Sequence, residues 1–163
     1  MMTSWPSKRK ALGRRTAWER PVRTTGAHDL TGAGTALGPV VHCCAPDVPF
    51  ALLRGAGARA LALDLSLLDT AGWEAVAAGV EDGLALWAGL TIDAATNAPP
   101  ASIGDLISPL VRSWKDVGLA PAGLAHVTLT PACGLAAVMP QEARRAQALV
   151  REAARALTET AAA

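Results

Sequence analysis

From Gly38 onward the chain alternates short apolar runs with longer stretches in which apolar residues recur every three or four positions. Runs this short and uninterrupted predict strands covered on both faces, and the stretches between them predict helices. Together they give the pattern of βα units around a parallel sheet, an α/β fold. Four units are expected, with strands over 39–44, 60–65, 84–90 and 126–130.

Several helix ends are legible. Asp47 is placed to cap a helix over 48–56 that stops at Gly57, and Asp69 or Thr70 to cap one running to Asp82 before Gly83. Ser102 with Asp105 three positions later predicts a capping box for a helix ending near Gly118, with a kink expected at Pro109. Pro140 suits the first turn of a last helix. There Leu149, Val150, Ala153, Ala154 and Leu157 form an apolar stripe opposite Arg144, Arg145, Arg151 and Arg155.

Residues 1–37 differ in kind. They carry seven Lys or Arg against Glu19 and Asp29 and show no apolar period, whereas residues 38–163 carry eight basic against twelve acidic residues. The segment reads as a disordered basic arm, or as a chance start to a truncated coding sequence, and 38–163 reads as one partial domain. With 163 residues the chain has room for one domain but falls short of the roughly 250 residues of an eight-unit barrel. No apolar run reaches the ~18 residues of a membrane span and no signal-peptide pattern opens the chain, so a cytoplasmic protein with no membrane partner is expected. Nucleic acid is not an expected partner, because a short basic run is weak grounds for one. Three cysteines, two of them adjacent, do not make a secreted disulfide framework.

Chemistry in a parallel α/β fold gathers at the C-terminal ends of strands. There the chain offers His42, Cys43 and Cys44 after the first strand, Asp64 at the end of the second, and Cys133 just after the fourth. Side chains alternate along a strand, so His42 and Cys44 share a face while Cys43 turns to the core. Asp64, in the run ALALDL, would be costly to bury without a partner. Two thiolates, an imidazole and a carboxylate suit tetrahedral zinc, so His42, Cys44, Asp64 and Cys133 are the expected metal ligands. No Gly-x-Gly-x-x-Gly or P-loop follows any strand, which weighs against a small nucleotide-binding domain.

The segments VVHCCAPDVPFALLRGAGARALALDLSLL and LTPACGLA resemble the C-terminal barrel of the cobalamin-independent methionine synthase family in its short bacterial form. The resemblance covers residues 38–158. It rests on His42-x-Cys44, then Asp64, where the long enzymes of the family usually carry Glu, then Pro131, Cys133, Gly134 and Leu135. It implies the C-terminal half of a (β/α)8 barrel and a zinc-dependent methyl transfer from 5-methyltetrahydrofolate to homocysteine. An isolated half would lack most of the substrate-positioning residues and would expose two sheet edges, through which it could self-associate. The alternative reading is a non-catalytic zinc-binding fragment that needs a partner half.

Overall fold

The computed structural model describes residues 38–92, 102–132, 135 and 138–163; the expected basic arm, residues 1–37, lies outside them. Four strands, β1 (Val40–Cys43), β2 (Ala60–Asp64), β3 (Ala85–Leu90) and β4 (Thr128–Pro131), alternate with four helices, α1 (Phe50–Gly55), α2 (Thr70–Glu81), α3 (Ile103–Asp116) and α4 (Pro140–Ala162). The sheet is parallel throughout, and its order β1-β2-β3-β4 follows the chain. Crossovers of one hand that always step the same way across a sheet deliver every helix to the same side.

The register divides the strand residues between two faces. Val41, Leu61 and Leu86 form one row, and Cys43, Leu63, Ala88 and Leu129 the next. These rows join Trp73, Val76 and Ala77 of α2, Ile107, Leu110 and Trp114 of α3, and Val150, Ala153 and Leu157 of α4 in a single apolar cluster. Phe50 and Leu53 of α1 pack at its margin. The opposite face carries His42, Ala62, Trp87 and Thr128 in one row and Asp64, Gly89 and Thr130 in the next. His42 and Thr128 are exposed there, while Ala62, Trp87, Asp64 and Thr130 are half-buried. Among the described residues no helix covers this face, and neither Ala62 nor Trp87 joins the apolar cluster. Among the described residues the strands are thus covered on one face only. The apolar runs mislead because Ala, Gly and Trp on the bare face interrupt them no more than core residues do.

Three of the four expected helix starts hold. Asp69 accepts from the Gly72 N–H at 2.8 Å and caps α2. Ser102 accepts from the Asp105 N–H at 3.0 Å and its hydroxyl donates to the Asp105 carboxylate at 2.8 Å, opening α3. Pro140 stands at the first position of α4, where the Glu142 carboxylate accepts from the Met139 N–H. The expected cap at Asp47 does not form: α1 starts at Phe50 with Pro49 at its N-cap and no side-chain cap. Pro49 drives the residue before it out of the helical region, so a helix cannot start at Val48.

α3 continues through Pro109 on its exposed side, where water can serve the carbonyl that the missing N–H leaves over. α2 and α3 each end two residues before a left-handed glycine with a single capping residue between, Asp82 before Gly83 and Val117 before Gly118. β4 starts two residues later than expected because residues Pro121–His126 turn as a 3-10 helix, so His126 belongs to that turn.

This architecture ranks two substitutions. Leu110 is 1% exposed at the centre of the cluster, so Leu110→Ala is expected to cost about 2–5 kcal/mol. Asp69→Ala, which removes only the α2 cap, is expected to cost about 1 kcal/mol. Urea unfolding followed by circular dichroism checks both the size and the order.

Candidate metal centre

The expected ligands come from the ends of β1 and β2 and from the segment after β4. His42 lies on β1, exposed on the bare face, with Ala62 of β2 beside it in register. Asp64 lies on the same face of β2, two residues further toward the C-terminal end. Cys43 turns the other way and packs against the apolar cluster, as alternation requires. Cys44 follows the last residue of β1 and is exposed. Cys133 and Gly134 lie outside the described residues, so only Pro131, Ala132 and Leu135 of that segment can be placed.

Asp64 has a partner, as its place in an apolar run required, and that partner is Ser66. Asp64 is half-buried, and its Oδ1 accepts from the Ser66 N–H at 3.0 Å and from the Ser66 hydroxyl at 2.6 Å. It thereby caps the 3-10 turn Leu65–Leu67. A carboxylate offers about four acceptor positions, so these two bonds orient Asp64 and leave it able to bind a cation. Sequence reasoning passed over Ser66, although Asp followed two residues later by Ser is a local signal for such a turn.

Gly89 is the second residue that the sequence reading missed. It stands between Asp64 and Thr130 in the register. A Cβ built on it would meet the Leu63 carbonyl oxygen at 2.6 Å, the Ala132 Cα at 3.3 Å and the Asp64 Cα at 3.4 Å. The backbones at Asp64 and Ala132 thus crowd the same point, and only a residue without a side chain leaves them there. Ala132 is held by its own N–H, which donates to the Leu90 carbonyl at 2.8 Å and extends the β3–β4 ladder past the strand end. Glycine inside an apolar strand marks such a close approach, and that was the available sequence signal.

The structure therefore brings Asp64 beside the residue that precedes Cys133, with His42 on the neighbouring strand of the same face. Among the described residues no three His, Cys, Asp or Glu side chains gather closely enough to hold a metal ion. The donor types of the expected set match zinc, and the residues that can be placed lie at the sheet end where parallel α/β proteins carry their chemistry. A wide depression of about 490 Å³ lies at the other end, lined by Arg54, Arg59, Asp82 and Leu84 among others, with Arg54 ion-paired to Asp82 across it. No helix among the described residues is long and apolar enough to cross a membrane. No family model, curated protein or solved structure matches the chain in searches of each.

Gly89→Ala is expected to destabilise the fold by about 1–3 kcal/mol, since the added methyl must push the Leu63 carbonyl away. Gly55→Ala in α1, where a Cβ meets nothing within 4 Å, is expected to leave stability unchanged or raise it. Thermal melts of the two variants side by side make the comparison.

Proposed function

We propose that this chain forms the C-terminal half of a (β/α)8 barrel of the cobalamin-independent methionine synthase type. In this reading it binds zinc through His42, Cys44, Asp64 and Cys133 and serves methyl transfer from 5-methyltetrahydrofolate to homocysteine. The observation that carries the reading is the bare sheet face. It bears His42 and Asp64 on adjacent strands and is cleared by Gly89 toward the residue before Cys133. A sheet wound in chain order with all its helices on one side is also what half of such a barrel requires.

Bound zinc supplies the Lewis acidity that keeps a thiol, otherwise mostly protonated near a pKa of about 8.5, as the nucleophilic thiolate. The chain's own part is to fix the donors. Ser66 holds the Asp64 carboxylate in one orientation, so this ligand loses little freedom on binding. Strand β1 sets the direction of His42, and the Ala132 to Leu90 hydrogen bond sets the start of the segment that carries Cys133. Positioning of donor and acceptor would fall to residues of the other half.

A second reading, a zinc-binding fragment without activity of its own, is favoured by α1. That edge helix buries no residue and carries Leu52 largely exposed, as a helix missing a neighbour would.

Metal analysis is expected to find one zinc per chain, with most of it lost in Cys44→Ser and in Cys133→Ser and retained in Cys43→Ser, whose thiol packs against the core. Equal retention in all three variants would refute the ligand assignment. Positioning contributes roughly 7–11 kcal/mol to such reactions, so the chain alone is expected to form little or no methionine from methyltetrahydrofolate and homocysteine. Addition of a matching first barrel half should raise the rate, and robust turnover by the monomeric chain alone would favour a complete site over a half.

A further inference from the structure

We propose that two copies of this chain close on one another into an eight-stranded parallel barrel, β4 of each pairing with β1 of the other about a two-fold axis along the barrel. The inference rests on the half-barrel reading and names the partner that completes it.

Both outer strands run parallel to their neighbours, so β4 of one copy can meet β1 of another in the sense already used inside the sheet. The hydrogen-bonding groups at that edge are positioned for it. The Pro39 carbonyl accepts from the Arg59 N–H and so faces β2. Successive residues of a strand turn their backbone groups to opposite sides, which aims those of Val40 and His42 at the open edge. A two-fold axis uses each edge once and leaves none over, so the assembly closes and does not propagate.

Two of the four exposed large hydrophobics among the described residues lie at the same edge. Val40 on β1 and Leu52 on α1 are exposed large hydrophobics, and α1 buries no residue. On the bare face, Trp87 is flanked along β3 by Ala85 and Gly89 and across the sheet by Ala62. One large side chain among small ones suits a barrel interior, and eight strands enclose a space that side chains just fill.

The contact is large enough for a stable dimer. Four strands at a spacing of about 4.8 Å and five rows at about 3.3 Å make a face of roughly 300 Å². Each edge, about 13 Å of strand by the roughly 20 Å depth of a sheet and helix layer, adds about 260 Å². The total, roughly 800 Å² per copy, is what stable protein interfaces bury on each side.

Sedimentation equilibrium of the full chain is expected to give twice the 16.7 kDa chain mass. Ala62→Glu puts a carboxylate on a face that is open in one copy and enclosed in the barrel, and is expected to weaken the dimer roughly 100-fold or more. Far-UV circular dichroism of that variant should be unchanged. Should Ala62→Glu not fold, Val40→Lys at the exposed edge makes the same test. Hydrogen exchange locates the contact, with the Val40 and His42 amides protected in the dimer and exchanging freely in the dissociated variant. A monomer at about 100 µM, open-ended polymers, or a dimer indifferent to both variants would overturn the proposal. Zinc content, measured on the same samples, separates the two readings. A monomer with one zinc per chain defeats the dimer alone, and a zinc-free barrel dimer defeats the metal site alone.

Discussion

A parallel strand can meet its neighbour only after a crossover, and in this protein every crossover steps the same way across the sheet. The three crossover helices therefore arrive on one side, α4 packs beside them, and together they bury Leu61, Leu63, Leu86, Ala88 and Leu129 in one apolar cluster. Reversing the direction once would have placed helices on both sides and made a doubly wound sheet with a ligand crevice at the switch point. Without a reversal there is no switch point. What remains is a sheet with a core on one face and a half-apolar, half-polar surface on the other. The bare face, the two open edges and the position of the candidate metal ligands all follow from that single constraint.

The constraint also separates neighbouring residues into different roles. Cys43 and His42 are adjacent in the chain, yet one packs into the core and the other stands on the bare face, because the strand pleat sends them to opposite sides. Core packing would hold a thiol at Cys43 inert, while the same register leaves His42 open to a ligand. Asp64 ends β2 on the face of His42, and its bonds to Ser66 begin the turn that leads into α2. One carboxylate thus terminates a strand, caps a turn and faces the candidate site. Gly89 adds the remaining element by letting the backbone after β4 approach β2 across the end of β3.

A parallel sheet left bare on one face has reason to acquire a partner. Trp87 and Val40 hold apolar surface outside the core, and among the described residues no strand pairs with the outer side of β1 or of β4. Covering the face removes that surface from water at about 25 cal/mol per Å², and pairing the edges satisfies their N–H and C=O groups. Closure would also take the site end of the sheet out of bulk water, which strengthens every electrostatic contact made there.

The sequence by itself determined the elements. The four strands, the caps at Asp69 and Ser102, Pro140 at the start of α4 and the stripe through Val150, Ala153 and Leu157 are local facts of periodicity and capping chemistry. The structure moves the strand ends by a residue or two and leaves these caps and Pro140 in place. The α/β class followed from their alternation. The winding direction was not legible, because an apolar run looks the same whether its second face meets a helix or nothing, and so the strands read as doubly covered. That Asp64 needs a partner was legible, but which partner was not, since only the turn after β2 shows that Ser66 already serves the carboxylate. The role of Gly89 likewise waited on the structure. A glycine in a strand announces that something comes close, but which backbones meet there is decided by the register of three strands and the hydrogen bond from Ala132 to Leu90.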